Sequence, residues 1–299
     1  MKHPVTSTLK LAVLAGISFV NPAMAVVNMS WTSIGNAGNA ADTTGYGSVD
    51  HAYNIGTYEV TNAQYVDFLN AKGASNDNGI YNWTMGSTGG YYGSITQSGS
   101  SGSYNYSVSS TYANMPVIGV SWFDAARFSN WLGNGQGNND METGAYTLAG
   151  AMIGTITANA GAGVYIPSEN EWYKAAYYNG ITSTYSLFPN DQNTITSADA
   201  NYLSSGVVDV GYGKASSYGT YGQGGNAWEW NDAVIGTSRG LRGGSWLSVS
   251  DHLASSYSVS FVPSDWSGSL GFRVASVPEP SCMILSLFAS GVLVTRRKR

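Results

Sequence analysis

Three segments of the chain carry apolar residues at the spacing of an amphipathic helix. In the first, TNAQYVDFLNAKG, the side chains of Tyr65, Phe68 and Leu69 fall on one face. Thr61 stands where a helix cap is expected, and Gly73 stands where the helix should end. The pattern predicts a helix between these two residues, with one face in the core.

The other two helical segments each begin with a capping box. SWFDAARFSNWLG places Ser121 three residues before Asp124, and PSENEWYKAAYY places Ser168 three residues before Glu171. We expect the first of these two helices to stop at Gly133. Its expected inward-facing residues are Trp122, Ala125, Ala126, Ser129 and Leu132.

After residue 200 the helical spacing disappears. The runs VVDVGYG, LRGGSW, ASSYSVSFV and LGFRVAS predict short strands joined by glycine turns. Residues 73–114 and 133–163 are polar and glycine-rich, so we expect long loops there, with one or two hairpins in the first. The predicted class is α+β: a single domain with long irregular loops, few helices and short strands.

The first 25 residues have the pattern of a secretory signal peptide. Lys2 and Lys10 supply positive charge before a ten-residue apolar run, and a small-x-small cleavage site ends at Ala25. We expect export by the Sec machinery, followed in the mature chain by a lead-in over residues 26–44. A buried core helix is the alternative reading of the apolar run.

The other end, residues 277–299, resembles the PEP-CTERM sorting signal of Gram-negative bacteria. Pro278, Glu279 and Pro280 precede a fourteen-residue apolar segment and a basic terminus. That segment is shorter than the roughly 20 residues of a spanning helix, and the basic cluster fits a cytoplasmic end. The resemblance implies transient membrane anchoring, processing by an exosortase, and release to the cell surface, outer envelope or extracellular space. An ordinary C-terminal anchor is the alternative.

Charge and cysteine content narrow the function of the middle of the chain. Residues 26–276 contain seven Lys and Arg against 17 Asp and Glu, a formal charge of −10. This balance argues against nucleic-acid binding, which depends on neutralising phosphates. The one cysteine, Cys282, lies in the C-terminal segment. The domain therefore has no disulfide, no thiolate metal site and no cysteine nucleophile.

Six blocks in order resemble the formylglycine-generating-enzyme (sulfatase-modifying factor) domain family over residues 45–276. They are YEVTNAQYVDFLNA, PVIGVSWFDAARFSNWLG, YIPSENEWYKAA, GNAWEW, LRGGSW and LGFRVAS. The resemblance implies a variant of the C-type lectin fold. It also implies Cu(I) held by two cysteines shortly after the R-G-G-S block. Here those positions fall near Ser250 and Ser255, whose hydroxyls are poor Cu(I) ligands. We therefore expect no copper and no formylglycine oxidation.

The resemblance also implies calcium at the GGNAWEW block. The carbonyls of Gly225 and Ala227 and the carboxylate of Glu229 would be ligands, and oxygens of this kind suit Ca²⁺. A second implied site begins at Asn201 and Tyr202. Both sites lack ligands that the family usually has. The alternative is that Glu229 accepts backbone hydrogen bonds and stabilises its own turn between two core tryptophans.

Three further residues are candidates for a ligand-binding cleft: Arg242, His252 and Arg273. For the two arginines the alternative is a buried structural role, paired with acids such as Glu229, Asp232 or Glu171. His252 lies between the two serines at the family's cysteine positions.

The sequence as a whole favours a secreted, non-catalytic binding module. The chain has 21 Tyr and 9 Trp, many of the tyrosines in Ser-, Gly- and Asn-rich loops, a composition typical of adaptable binding surfaces. Exopolysaccharide or an envelope protein is the expected ligand. Packing of these rings on a helix-poor core is the competing explanation. The alternative function is an enzyme of unknown reaction that reuses the family cleft, with a metal held by carboxylates and His252.

Overall fold

The computed structural model describes residues 26–86 and 94–278 as mixed α and β structure joined by long irregular segments. The helices are α1 (Asn62–Lys72), α2 (Trp83–Gly86), α3 (Trp122–Gly133) and α4 (Glu169–Tyr177). The strands of the first half are β1 (Trp31–Ile34), β2 (Tyr53–Gly56), β3 (Ile95–Ser98), β4 (Asn105–Val108) and β5 (Val164–Tyr165). Those of the second half are β6 (Tyr178–Asn179), β7 (Thr184–Tyr185), β8 (Trp228–Ile235), β9 (Ser238–Arg242), β10 (Val259–Phe261), β11 (Leu270–Gly271) and β12 (Ala275–Ser276). The predicted α+β class is confirmed.

The three predicted helices begin at the predicted caps. The side chain of Thr61 accepts a hydrogen bond from the backbone N–H of Gln64, and the side-chain oxygen of Gln64 accepts one from the backbone N–H of Thr61. Ser121 and Ser168 form capping boxes with the residues three positions later, as expected. Helix α3 ends at Gly133, where the sequence analysis expects it to stop.

Helix α3 is buried on more faces than its sequence pattern predicts. Phe123, Phe128 and Trp131 are buried together with most of the predicted stripe, whereas Leu132 is only half-buried. The ring of Phe128 packs 5.4 Å from that of Phe272, and α3 also contacts α1 and β5. Because neighbouring elements cover the helix on several sides, it has no fully exposed polar face. The amphipathic pattern of its sequence therefore predicts less burial than the structure shows.

Two four-stranded sheets form most of the β structure, and the pairs β3-β4 and β6-β7 form two-stranded sheets. The first has the order β1-β2-β12-β5 with antiparallel neighbours, and the second has the order β10-β9-β8-β11. In the second sheet β8 pairs antiparallel with β9 and parallel with β11, where Glu229 lies opposite Gly271. The GGNAWEW block therefore leads directly into a central strand. β3 and β4 form the hairpin expected between residues 73 and 114.

Three features differ from the sequence prediction. Residues 207–213, predicted as a strand, form a loop, because the backbone of Val208 bonds to the side chain of Asn226 instead of a neighbouring strand. Strand β8 was not predicted, because polar residues are buried along it. The segment 26–44, expected to be a lead-in, supplies the sheet strand β1.

Candidate functional site

Glu229 is completely buried and faces the guanidinium of Arg273. Its Oε2 accepts a hydrogen bond of 2.6 Å from Arg273 Nε, and its Oε1 accepts one of 2.6 Å from Arg273 Nη2. The indole N–H of Trp172 donates to the same Oε2 at 2.7 Å. The carboxylate thus pairs with a charge from another block of the chain. This supports the buried structural role considered for Arg273.

The residues at the implied calcium positions are adjacent but do not fit a cation held by Glu229. Asn201 lies beside Gly225 in an isolated bridge, and the carbonyl of Asn201 accepts the N–H of Asn226. Both oxygens of Glu229 already accept hydrogen bonds, and a positive guanidinium lies against them. A cation beside that guanidinium would be repelled. Calcium binding itself stays a prediction, as do roles for Ala227 and Tyr202.

Arg242 is also buried, but its partner is an acid that the sequence analysis did not choose. Its guanidinium lies 2.7 Å from Glu169 Oε1 and over the ring of Tyr46 at 4.5 Å. Nη1 donates to the carbonyl oxygens of Ser255 at 3.0 Å and Tyr257 at 3.1 Å. Arg242 therefore fixes the loop that carries the predicted His252. Neither buried arginine presents its charge at the surface.

His252 reaches the surface as part of an aromatic platform, which we define as Trp228, His252 and Tyr257. The rings of His252 and Tyr257 are stacked, with centroids 4.3 Å apart and planes inclined by 26°. Trp228 lies 6.0 Å from each of them. All three residues are half-buried, so each of them remains partly accessible to solvent. The platform joins strand β8 to the loop held by Arg242.

Several large apolar side chains are exposed in the same part of the sequence. They are Leu247, Val249, Phe261, Val262 and Trp266. Leu247, two residues before Val249, is 61% exposed. Exposed apolar groups that lie together mark interaction sites more often than scattered ones do. The five side chains fall within residues 247–266, the stretch of chain that also contains His252 and Tyr257.

The positions of the family's cysteines, Ser250 and Ser255, lie within this segment on either side of His252. Ser250 begins a 3₁₀ turn (Ser250–Leu253) and is half-exposed, whereas Ser255 is buried and donates its N–H to the carbonyl of Leu187. Hydroxyl groups are neutral, hard ligands and do not fit Cu(I). Among residues 26–86 and 94–278, no three His, Cys, Asp or Glu side chains converge as metal ligands. The expected lack of copper stays a prediction.

A cluster that sequence reasoning missed surrounds His51. Its Nε2 lies 3.1 Å from Glu171 Oε1, which also accepts a 2.7 Å hydrogen bond from the hydroxyl of Tyr165. Asp50 raises the pKa of His51 through a 2.8 Å contact, burial opposes this rise, and Glu171 adds to it. The cluster and Asp232 together line a cavity of about 300 Å³. Burial raises the pKa of Asp232 to about 7. His51 and Glu171 lie 120 positions apart in the sequence, so no residue spacing indicates that they are in contact.

The tyrosine rings mostly pack against one another. Tyr106, Tyr177 and Tyr178 are buried. Tyr177 lies 4.9 Å from Tyr173, and Tyr178 lies 4.9 Å from Tyr185. The explanation that aromatic side chains stabilise a helix-poor core is confirmed for these residues. The aromatic platform is different because its rings remain partly accessible.

The two processing signals lie largely outside the described residues. Ala25, Glu279 and Pro280 and the apolar segment 281–294 fall there, and Pro278 is the last described residue. Within the described ranges, every helix is too short or too polar to cross a membrane. The signal peptide, the sorting signal and the anchoring segment stay predictions.

Few helices, short strands in two sheets and long loops define a C-type-lectin-like fold. The chain belongs to the family described as the sulfatase-modifying factor enzyme 1-like domain, which it matches over residues 21–277. This identifies the domain that the six sequence blocks had indicated.

Two solved structures share the fold of this chain, and curated relatives match its sequence. The chain resembles Treponema denticola variable protein 1, with a TM-score of 0.58, 24% identity and coverage of 86% of this chain and 98% of that one. It also resembles the structure of CarF, with a TM-score of 0.57, 20% identity and coverage of 84% of this chain and 99% of that one. A curated relative is serine/threonine-protein kinase pkn1 of Chlamydia caviae, 24% identical over 249 residues, or 75% of this chain. The match covers 33% of that kinase, so the chain spans about a third of the curated relatives it matches.

Proposed function

We propose that this protein is a secreted, surface-associated binding module without catalytic activity. Its ligand is exopolysaccharide or another component of the cell envelope. The signal-like first 25 residues and the Pro-Glu-Pro segment support export and sorting to the cell surface. The family's cysteine positions, which fall near Ser250 and Ser255, support a role other than oxidation.

The observation that carries this proposal is the aromatic platform. Trp228, His252 and Tyr257 offer flat, partly accessible rings with polar groups at their edges. Such rings bind the apolar faces of sugar rings, while their N–H and O–H groups bond to hydroxyls. The buried guanidinium of Arg242 fixes the loop beneath them through two backbone carbonyls. Little ordering is therefore left for the ligand to impose, which favours affinity.

The test is a binding assay with the purified full chain and exopolysaccharide extracted from the bacterium that produces this protein. We expect saturable binding by the wild type. We expect at least about tenfold weaker binding when His252→Ala and Tyr257→Ala are combined, equivalent to about 1.4 kcal/mol. Ile181→Ala is the control, since Ile181 is 94% exposed and lies outside the platform.

Two outcomes contradict the proposal. One is that the wild type binds neither exopolysaccharide nor any other extracted envelope component. The other is that the combined platform variant binds as tightly as the wild type while remaining folded by circular dichroism. Turnover of an extracted envelope component by the wild type, lost in His252→Ala, would instead favour an enzyme.

A further inference from the structure

A second surface feature lies apart from the aromatic platform. A groove with a volume of about 990 Å³ opens between the start of α1, the loop of residues 111–115 and the loop of residues 208–212. We call it the polar groove. None of its lining residues belongs to the aromatic platform. Its volume is at the upper end of the range for ligand sites, about 300–1,000 Å³.

The lining of the polar groove combines apolar side chains with two aromatic rings. Met115 and Val210 contribute apolar surface, while Tyr58 and Tyr212 supply rings. The ring of Tyr58 packs 5.5 Å from that of Tyr221, which fixes its orientation. Tyr212 is 45% exposed, and its hydroxyl donates to the carbonyl of Ser197 at 2.7 Å. Both rings are thus positioned before any ligand arrives.

Several polar groups in the groove have their hydrogen-bonding capacity free. Across the described ranges, the hydroxyl of Tyr58, the side-chain amide of Asn114 and the carboxylate of Asp209 have no hydrogen-bond partner. These groups offer donors and acceptors within one lining. A few polar groups in a largely apolar lining are the usual composition of a small-ligand site.

The loop of residues 208–212, which forms one side of the groove, is fixed by hydrogen bonds to a buried side chain. The side chain of Asn226 accepts the N–H of Val208 at 2.9 Å and donates to its carbonyl at 3.2 Å. Asn226 is buried and also donates to Glu59 Oε1 at 3.0 Å. The N–H of Val210 donates to the carbonyl of Asn114, which ties the two walls together. A preorganised groove loses less entropy when a ligand binds.

The charge of the lining selects the class of ligand. Asp209 is the one charged residue among those that line the groove, and no Lys or Arg is present there. Anionic ligands such as phosphates and uronates would therefore meet a carboxylate and no counter-charge. Peptides that add to a sheet need an exposed strand edge, whereas loops and a helix start form these walls. Neutral sugars match the free hydroxyl, amide and carboxylate groups and the two rings.

We infer that the polar groove binds a neutral oligosaccharide segment. Ring faces of the sugar would lie against Tyr58 and Tyr212, and its hydroxyls would bond to Asn114 and Asp209. Together with the aromatic platform, this gives one domain two saccharide sites without shared residues. Two sites on one chain can join two polymer strands or strengthen binding to one strand. This bivalency rests on the proposed function, whereas binding in the groove does not.

The test titrates the purified full chain with neutral hexasaccharides of glucose, mannose and N-acetylglucosamine by calorimetry. Hexagalacturonate is the anionic comparison, and an unstructured neutral decapeptide is the peptide comparison. We expect at least one neutral hexasaccharide to bind, with a Kd of about 1 mM or tighter. We expect Tyr58→Ala to weaken it at least about tenfold. Asp209→Asn and Asn114→Ala change exposed residues, so they test the groove even if Tyr58→Ala fails to fold.

The controls separate the groove from the aromatic platform. Asp265→Asn removes an exposed carboxylate elsewhere and should leave the affinity unchanged. The combined His252→Ala and Tyr257→Ala variant should still bind the hexasaccharide, even though we expect it to lose exopolysaccharide binding. The inference is overturned if no neutral hexasaccharide binds, if Asp209→Asn and Asn114→Ala both leave the affinity unchanged, or if hexagalacturonate or the peptide binds more tightly. Loss of binding in the platform variant alone would place the saccharide at the platform.

Discussion

Arg273 and Glu229 form a two-point ion pair with neither side chain exposed to solvent. The remaining donors of Arg273 reach the carbonyl oxygens of Gly56 at 2.9 Å and Tyr221 at 2.7 Å. One guanidinium thus connects the end of β2, the turn before GGNAWEW and strand β8. The family's sequence blocks meet at this pair, which explains why a carboxylate can be buried between two tryptophans.

Glu229→Gln should destabilise the fold strongly. The change leaves the buried guanidinium of Arg273 without a counter-charge, and breaking one side of a buried pair costs about 3–5 kcal/mol. The free energy of unfolding from urea denaturation measures this cost. Lys214→Gln is the control, because it breaks an ion pair with Asp199 in which the lysine is 57% exposed. The control should cost about 1 kcal/mol or less, and equal effects of the two changes would contradict our account.

Calcium removal should leave the stability nearly unchanged. Both oxygens of Glu229 accept hydrogen bonds from Arg273 and Trp172, so the carboxylate has little capacity left for a cation. We expect melting temperatures in about 1 mM CaCl₂ and in chelator to agree within about 1 °C. MgCl₂ at the same concentration controls for ionic strength. A drop of several degrees in chelator would show that Ca²⁺ binds after all, with the carbonyls of Gly225 and Ala227 as the first candidates.

The helices could be predicted because their signals are local. The capping boxes of Ser121 and Ser168 involve residues three positions away, so the sequence contains both partners side by side. Strand β8 could not be predicted in the same way. Glu229 and Asn231 are buried within it, and their partners come from distant segments, so the strand does not alternate between apolar and polar positions.

The candidate sites could be predicted only in part, because they depend on tertiary contacts. His252 was identified from its place beside the family's cysteine positions, but its neighbours Trp228 and Tyr257 emerge only when β8 and the loop meet. The polar groove joins residues from three distant parts of the chain, so no spacing reveals it. The pairing of Arg242 with Glu169 could not be predicted because the two residues lie 73 positions apart, in different sequence blocks.

Glu59→Gln should make the stability less dependent on pH. Burial raises the pKa of Glu59 to about 7, and Oε2 of this side chain has no hydrogen-bond partner among the described residues. The folded state therefore retains a proton that the unfolded chain has already lost. This contribution to stability is complete below about pH 4.5 and is lost as the pH rises to about 7. The wild type should lose stability across this window.

Melting curves from pH 5 to pH 8 measure the effect of Glu59→Gln. The stability of this variant should fall by about 1–3 kcal/mol less than that of the wild type, because the amide does not titrate. Asp265→Asn, at an exposed carboxylate, should retain the full dependence of the wild type. If Glu59→Gln shows the wild-type pH profile, Glu59 is ionised throughout, and Arg273 outweighs its burial.

Arg242→Lys should disturb the aromatic platform more than the rest of the domain. A lysine ammonium cannot match the planar fork that bonds to Glu169 and to the carbonyls of Ser255 and Tyr257. We expect a loss of about 1–3 kcal/mol in stability, and weaker exopolysaccharide binding well below the melting temperature. Faster hydrogen exchange at residues 250–257 would show the positioning effect directly.

The control for this prediction is a second buried arginine. Arg239 pairs with Asp232 and lies 3.8 Å from the ring of Trp122, and its side-chain hydrogen bonds go to Asp232 and Ile156 instead of residues 250–257. Arg239→Lys should lower the stability by a similar amount while leaving the exchange of residues 250–257 and exopolysaccharide binding unchanged. Equal loss of binding in the two variants would mean that stability, and not the position of the loop, limits the affinity.

Gly225→Ala should be more harmful than Gly219→Ala, although both glycines have left-handed backbone angles, with φ of +78° and +93°. An added Cβ at Gly225 would lie 2.2 Å from the carbonyl oxygen of Asn201, whereas nothing lies within 4 Å at Gly219. That carbonyl cannot move freely, since it accepts the N–H of Asn226. We expect about 1–2 kcal/mol for Gly219→Ala from backbone strain alone, and more than about 3 kcal/mol for Gly225→Ala. Urea denaturation of both variants measures the difference. Equal losses would show that Asn201 moves aside, and that the contact between these two blocks is looser than the bridge between them indicates.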